Sequence, residues 1–335
     1  MDRNQIISQI LCSDIITKWH WFYYHFSFYL RGGEHPFAKS VVDAIHIIGS
    51  KVKNADVDFI RKIASINGKE KDKSHYEQLM QVLSEIIIIK QAVLYKWDAF
   101  ERFEYEPTTD TSLKNPELNI CTKNNIIGIE VKSPELLTHE LNRSTNPFQL
   151  LSRNPFKELL DKDLTTYPRD NPVKDFLISA DKKFSSFKSK YKNYISILYI
   201  VWDDFIVEPI SALLSKPHGI FLPDSFARDK NDEILKFVNI DCIMISRHRY
   251  QLQSTAGENL YPYPLLHALD YGSKKVFPFK VIIKNPYSTS NITEEIIYCF
   301  QVYEPTHTMG AEYVPSDFTS YINFRKNAHS KTEIQ

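Results

Sequence analysis

The stretch that decides the fold is Ile126-Ile127-Gly128-Ile129-Glu130-Val131-Lys132, in which apolar side chains alternate with other residues. Alternation with a period of two is typical of a β-strand with one buried face. Glu130 and Lys132 therefore project from the same face, with backbones roughly 6.5–7 Å apart. With a second carboxylate upstream at Glu117, this group could hold a divalent metal and stabilise a charged oxygen. The simplest alternative for Glu130 and Lys132 is an exposed ion pair, which contributes little.

Two more strands are predicted upstream of this one. Phe100–Tyr105 alternates, and Glu117–Cys121 follows Asn115-Pro116. The turn residues Lys123-Asn124-Asn125 join Glu117–Cys121 to the strand Ile126–Lys132. The three strands are therefore expected to be consecutive neighbours in one sheet.

Helices are predicted on both sides of these strands. Apolar residues recur at helical spacing over His75–Tyr95 and again over Val173–Tyr191. Ile195–Trp202 is almost continuously apolar, as expected for a central strand buried on both faces. The order helix, three strands, helix, strand predicts an α/β fold with a central mixed β-sheet flanked by helices.

The flanking parts of the chain are predicted to be a helical N-terminal region (1–72) and a C-terminal α+β extension (208–335) packed on a core (73–207). In the extension, the clearest predicted strands are Phe237–Ser246, Val276–Lys284 and Glu295–Tyr303. Between 133 and 173 the chain is polar and broken by prolines. Two Asn-Pro-Phe segments there predict short helical turns, because Asn favours the N-cap and Pro the first turn.

The composition indicates a globular protein without an overall charge bias. The chain has 335 residues, 43% of them hydrophobic, and 41 basic against 41 acidic side chains. A net charge of zero means that any nucleic-acid-binding surface must be local. The four cysteines are widely spaced, which argues against a zinc site or a disulfide framework. We expect a cytoplasmic protein with no signal peptide and no membrane contact.

Residues 75–207 resemble the PD-(D/E)xK nuclease superfamily, the restriction-endonuclease-like fold. In that family a helix carries a glutamate, the start of a strand carries Pro-Asp, and the next strand carries Glu-x-Lys. The matching residues here are Pro116-Glu117 and Glu130-Val131-Lys132, behind the helix His75–Tyr95. One position departs from the pattern, because the family usually has Asp where this chain has Glu117. The resemblance implies a metal-dependent nuclease.

The resemblance also implies roles for individual residues. Glu117 and Glu130 would bind Mg²⁺, or Mn²⁺ in its place, together with the Val131 carbonyl. Lys132 would position the attacking water or stabilise the charged phosphate. The helix acid would be Glu85, which interrupts an apolar run, with Glu77 as the alternative. A buried carboxylate at position 85 needs a partner, and a metal ion would be one.

Basic residues are the candidates for nucleic-acid contact. Lys182, Lys183 and Lys188 lie on the second predicted helix, where the family often directs a basic or amide side chain into the active site. Arg247 and Arg249 follow a predicted strand and could contact phosphates. In both places an ordinary solvated surface is the alternative.

The function expected from the resemblance is a DNA endonuclease of a bacterial restriction or phage-defence type. DNA is expected rather than RNA, and a second copy of the chain or a partner subunit would assist cleavage of both strands. The alternative is a catalytically inactive nuclease-like fold that serves as a nucleic-acid-binding or protein-interaction module.

Overall fold

The protein contains a six-stranded mixed sheet in which the strands lie in the same order as in the sequence. The computed structural model describes residues 1–67, 73–110, 114–137, 141, 170–203, 206–214, 219–273 and 278–304. The strands are β1 (Phe100–Tyr105), β2 (Leu118–Thr122), β3 (Ile126–Lys132), β4 (Tyr194–Val201), β5 (Cys242–Ser246) and β6 (Lys280–Lys284). Strand β4 pairs parallel with both β3 and β5, whereas the pairs β1–β2, β2–β3 and β5–β6 are antiparallel. The predicted α/β class with a mixed sheet and flanking helices is confirmed.

Helices precede, separate and follow these strands along the sequence. They are α1 (Arg3–Leu11), α2 (Asp14–Thr17), α3 (Tyr23–Ser27), α4 (Pro36–Gly49), α5 (Ala55–Ser65), α6 (Lys73–Leu94), α7 (Asp170–Lys190), α8 (Val207–Leu214), α9 (His248–Ala256) and α10 (Glu294–Phe300), with a 3₁₀ turn over Phe28–Arg31. The helix predicted over His75–Tyr95 is α6, and the one over Val173–Tyr191 is α7. Among the described residues, no helix is both long and apolar enough to cross a membrane.

The N-terminal helices and the sheet share one apolar core. Buried side chains from α1, α4, α5 and α6 belong to the same hydrophobic cluster as Ile127, Ile129 and Val131 of β3. Helix α6 contributes the run Ile86-Ile87-Ile88-Ile89, all four of which are fully buried. A helix that is apolar on most of its circumference must be covered on several sides. It is covered here by α4, α5, α9, α10 and β3.

Strand β3 is buried along both faces, so the half-buried strand predicted from its alternation is wrong. Gly128 lies beneath the ring of Tyr194, and a β-carbon at this position would come 1.8 Å from the Tyr194 hydroxyl. The hydroxyl donates a hydrogen bond to Oδ1 of Asn119 at 2.8 Å. The face that carries glycine, glutamate and lysine is therefore covered by protein, which the sequence pattern alone could not indicate.

The chain divides into two compact units. The first consists of residues 1–134, 179–204 and 237–304 and contains the whole sheet; the second consists of 135–178, 205–236 and 305–335. In the second unit, the described part includes α8, where backbone hydrogen bonds join Ile220 to Ala212 and Phe221 to Leu213. The three-part division of the chain at 72 and 207 stays a prediction.

Three strand predictions in the C-terminal part need correction. The stretch predicted as a strand over Glu295–Tyr303 is helix α10, and only Tyr303 forms a single bridge to Val281. The strand predicted over Phe237–Ser246 begins only at Cys242, because Phe237 has a positive φ of 48° and starts a turn. Within the stretch Val276–Lys284, the strand is Lys280–Lys284. The two predicted Asn-Pro-Phe turns lie outside the described residues.

Candidate active site

Backbone pairing brings Glu117 beside β3. The Glu117 amide donates a hydrogen bond to the carbonyl of Ile129 at 2.9 Å, immediately before β2 begins. Ile129 is the neighbour of Glu130 in the sequence, so antiparallel pairing places the two predicted carboxylates at one end of the β2–β3 pair. Glu117 is only 8% exposed and Glu130 is completely buried.

Glu130 is held by two lysines. Its Oε1 accepts from Lys132 Nζ at 2.6 Å and from Lys183 Nζ at 2.7 Å. Its other oxygen, Oε2, is buried and has no hydrogen-bond partner among the described residues. A buried carboxylate oxygen without a partner is costly, since it has lost its water. Glu130 is therefore not the exposed ion pair that was the simplest alternative; its environment leaves one oxygen for a further ligand.

A third lysine, Lys62 of α5, joins Glu117 to two other acids. Its Nζ lies 3.1 Å from Glu85 Oε2, 2.7 Å from Glu106 Oε1 and 3.9 Å from Glu117 Oε2. Lys183 Nζ lies 3.9 Å from the other oxygen of Glu117. We call Glu85, Glu117, Glu130, Lys62, Lys132 and Lys183 the carboxylate–lysine cluster. Its three formal negative charges equal its three positive charges.

The pKa values of Glu85 and Glu117 shift in the direction that burial dictates. Burial raises the pKa of Glu117 to about 8, reinforced by the charges of Glu85 and Glu130 and opposed by Lys62 and Lys183. Burial also raises the pKa of Glu85, although Lys62 opposes the shift. At neutral pH Glu117 is therefore mostly protonated, and it loses its proton as the pH rises through about 8. Perturbed carboxyl groups of this kind are concentrated at functional sites.

The pKa values of Lys62 and Lys132 shift in the opposite direction to that expected from burial alone. Burial alone lowers the pKa of Lys132, but the charge and hydrogen bond of Glu130 outweigh it and the net pKa is raised. For Lys62, the carboxylate of Glu85 and neighbouring groups likewise outweigh burial and raise the pKa. Both ammonium groups are consequently charged at neutral pH and able to donate to an anionic oxygen.

The donor set suits a hard divalent cation only in part. Mg²⁺ prefers carboxylate oxygens, needs one or two of them, and keeps several waters. Glu117 and Glu130 meet that requirement, and the unpartnered Oε2 of Glu130 is a free oxygen ligand. In the part of the chain that the structure describes, no group of three or more His, Cys, Asp or Glu side chains is arranged to hold a metal ion. The residues therefore fit a site with two carboxylates and not one with three.

Several predicted site residues lie elsewhere or have other partners. Glu77, the alternative helix acid, forms a buried ion pair with Arg249, which also donates to Ser133 Oγ at 2.8 Å. The prediction that Arg249 contacts nucleic acid is wrong, because the side chain is fully buried. Lys188 is bound to the buried Asp241 and to Ser290 Oγ, which makes it structural.

The remaining predicted residues lie on α7, at the start of α9 and in β3. Lys182 is exposed on α7, and Arg247 is half-buried at the start of α9. Val131 lies in β3 with a buried side chain, and the role of its carbonyl as a ligand stays a prediction. Of the two candidate helix acids, Glu85 is the one whose charge acts on Glu117, and its role as a metal ligand stays a prediction.

Sequence analysis missed Lys62 and Glu106. Lys62 lies on α5 next to the buried Ile63, in a helix with an ordinary amphipathic pattern. Nothing in that pattern distinguishes Lys62 from a solvated lysine. Glu106 follows β1 directly and has a positive φ of 43°, a feature visible only in the backbone.

The comparisons with known proteins give no relative. No protein-family model, no curated protein and no solved structure matches this chain. The fold and the geometry of the carboxylate–lysine cluster therefore carry the functional argument alone.

Proposed function

We propose that this protein is a Mg²⁺-dependent nuclease that hydrolyses phosphodiester bonds, with the carboxylate–lysine cluster as its active site. The observation that carries the proposal is the convergence of Glu117 and Glu130 on Lys183, with Nζ–O distances of 3.9 and 2.7 Å, beside Lys132. Two buried carboxylates and adjacent ammonium groups are the components needed to bind a divalent cation and to stabilise a phosphate that gains charge.

The order and pairing of elements support the same proposal. Helix α6, strands β1, β2 and β3, helix α7 and strand β4 follow one another, with β1–β2–β3 antiparallel and β4 parallel to β3. This is the arrangement expected from the resemblance to the PD-(D/E)xK superfamily. Pro116-Glu117 precedes β2, Glu130-Val131-Lys132 ends β3, and Lys183 extends from α7. Fold likeness alone does not define function, so the site residues carry the greater weight.

Each residue of the site has a proposed chemical role. Glu117 and Glu130 would hold Mg²⁺, with Glu85 close by through Lys62. The bound ion would supply charge neutralisation and a lower pKa for a coordinated water. Lys132 donates to Glu130 and would donate to a phosphate oxygen at the end of β3. Lys183 fixes the Glu130 carboxylate, and its charge favours the approach of a polyanion.

The expected substrate is DNA, with RNA as the alternative. The expected cytoplasmic location, the restriction or phage-defence role and the second copy or partner subunit rest on the resemblance alone. Lys182 remains a candidate for phosphate contact, because it is exposed on the same helix as Lys183.

The experiment is cleavage of supercoiled and linear plasmid DNA with Mg²⁺, Mn²⁺ or EDTA. Wild type is compared with Glu130→Gln and Lys132→Met, which remove one charge each with little change in volume. We expect cleavage by wild type with either metal and a loss of at least about a hundredfold in both variants. The matched controls are Glu101→Gln, exposed on β1, and Lys53→Met, exposed before α5, which should cleave like wild type. Equal cleavage by all five proteins would assign the activity to a contaminant.

A non-catalytic role is favoured by one specific observation. An ammonium group already lies within 4 Å of each of the three carboxylates, so each has a positive partner without a metal. A nuclease-like binding module would bind DNA or a protein partner with the same affinity with and without divalent ions. Calorimetric titration with Mg²⁺ and Mn²⁺ separates the two functions. A saturable site that disappears in Glu117→Gln supports the nuclease, whereas no heat in wild type supports the module.

A further inference from the structure

A cavity of about 630 Å³ lies in the first unit, away from the residues of the carboxylate–lysine cluster. Helix α4 forms one wall, the segment from Glu258 to Ala268 after α9 forms another, and Lys90 of α6 also lines it. Cavities that bind small organic molecules have volumes of roughly 300–1,000 Å³. The volume is therefore suited to an organic ligand and far exceeds that of a single ion or water.

Lys90 is the unusual residue of this cavity. It is 8% exposed, and its ammonium donates to the carbonyl of Leu269 at 2.8 Å. An ammonium has three donors. Across the described residues, Lys90 makes no further hydrogen bond and no carboxylate lies within ion-pair distance. Burial lowers the pKa of Lys90, despite the charges of Asp270 and Asp43. A buried ammonium with unused hydrogen-bond donors destabilises the fold unless a further acceptor binds to it.

The other charges of the cavity do not satisfy Lys90. Asp43 is paired with Arg3, whose Nε lies 2.6 Å away, and with Lys39 at 3.6 Å. Lys39 is also paired with Glu34 at 3.2 Å. Glu258 lies on the exposed rim. The one buried charge that the cavity leaves without a counter-ion is therefore positive.

The rest of the lining combines apolar surface with one unpaired polar atom. Phe37, Ile47 and Leu266 contribute apolar side chains, and Leu266 is 79% exposed although it borders the cavity. His267 Nδ1 is buried and has no hydrogen-bond partner in the described structure. A ligand with an apolar body and a polar end would cover these apolar side chains and form a hydrogen bond with His267 Nδ1.

We propose that this cavity binds a small organic anion, a carboxylate or phosphate ester on an aromatic or aliphatic body, whose charged group contacts the ammonium of Lys90. The anion completes the hydrogen bonds of Lys90, and the body packs between α4 and the segment that carries Leu266. Inorganic phosphate alone would leave most of the volume unfilled. This binding site is independent of the proposed nuclease function, since none of its lining residues belongs to the carboxylate–lysine cluster.

The test uses anilinonaphthalene sulfonate, a fluorescent aromatic anion, as the probe. We expect saturable binding to wild type that weakens by about ten- to a hundredfold in Lys90→Met, the range for losing one charge-assisted hydrogen bond. Lys53→Met is the control, because that lysine is exposed and does not line the cavity. The control should bind the probe like wild type. Thermal unfolding of each variant confirms that it is folded.

Competition between the probe and three naphthyl compounds shows which anionic group the cavity binds. Naphthoate, naphthyl phosphate and the neutral naphthalenemethanol share one ring system, so they differ only in the polar end. Displacement of the probe by naphthoate assigns a carboxylate ligand, and displacement by naphthyl phosphate assigns a phosphate ester. Displacement by the neutral compound at the same concentration would overturn the proposal. Equal probe affinity in wild type and Lys90→Met, or no saturable binding to wild type, would overturn it as well.

A second measurement covers the case in which Lys90→Met does not fold. In wild type, amine acetylation is followed by mass spectrometry with and without the probe. We expect the probe to slow acetylation of Lys90 at least about tenfold and to leave Lys53 unchanged, because only Lys90 contacts the anion in the proposal. Identical acetylation of Lys90 in both samples would refute the assignment.

Discussion

Replacement of Glu117 by glutamine is expected to make the metal-free protein more stable, and increasingly so as the pH rises. Burial raises the pKa of Glu117 from 4.5 to about 8, with the charges of Glu85 and Glu130 adding to the shift. A folded-state pKa above the unfolded value means that the folded protein holds a proton that the unfolded chain releases. Stability linked to this group is fully present below about pH 4.5 and is lost as the pH rises through about 8.

The magnitude follows from the size of the shift. One pKa unit corresponds to about 1.4 kcal/mol, so a shift from 4.5 to about 8 corresponds to about 5 kcal/mol at most. Glutamine removes this penalty. It also takes one carboxylate away from Lys62 and Lys183, and the loss of that attraction cancels part of the gain in stability. We therefore expect Glu117→Gln to be about 2–3 kcal/mol more stable than wild type at pH 8.5 and equal to it near pH 4.5.

The assay is urea unfolding of both proteins at pH 5, 6, 7 and 8.5 in EDTA, with Glu101→Gln as the control. Glu101 is exposed on β1, and its replacement should change the free energy of unfolding by no more than about 0.5 kcal/mol at any of these pH values. The reasoning is refuted if Glu117→Gln is less stable than wild type at pH 8.5. It is also refuted if the difference is the same at pH 5 and at pH 8.5, because a titrating carboxyl must produce a slope.

Three further predictions concern the support of the site. Lys62→Met should raise the pKa of Glu117 above about 8, moving the acid limb of any cleavage–pH profile to higher pH and lowering stability at pH 8.5 by about 2–3 kcal/mol. Arg249→Met should cost about 3–5 kcal/mol in urea unfolding, because it leaves Glu77 buried without its partner, whereas the double change with Glu77→Leu should recover most of the loss. Gly128→Ala should cost about 3 kcal/mol, since a β-carbon would lie 1.8 Å from the Tyr194 hydroxyl; thermal unfolding should show partial rescue by Tyr194→Leu.

The sequence was sufficient where a local pattern determines structure. The period of two over Ile126–Lys132 and the apolar run of β4 predicted both strands, and the helical spacing predicted α6 and α7. Pairing of consecutive strands then brought Glu117 next to Glu130 without any long-range information. The position of Glu85 in a buried stripe predicts that its carboxylate needs a partner, and Lys62 is that partner; binding of a metal by Glu85 stays a prediction.

The sequence was insufficient where tertiary contacts decide the outcome. The segment after Thr293 has the Ile-Ile-Tyr pattern of a strand, but it forms α10 against α6, with Ile296, Cys299 and Phe300 buried. Arg249 has the appearance of a surface residue in Arg-His-Arg, but it is buried against Glu77 and Ser133, which lie 172 and 116 residues away in the sequence. Intrinsic propensity is a weak guide where packing overrides it.

The three lysines of the carboxylate–lysine cluster explain how its three acids tolerate a common interior. Lys183 and Lys132 share one oxygen of Glu130, and Lys62 lies between Glu85 and Glu117. A divalent cation that binds Glu117 and Glu130 must therefore displace the proton of Glu117, an ammonium, or both. Displacing the proton becomes easier as the pH approaches about 8, where Glu117 loses it unaided. The same burial that destabilises the folded chain at alkaline pH thus prepares the site for a cation, which is the trade between stability and function expected of an active site.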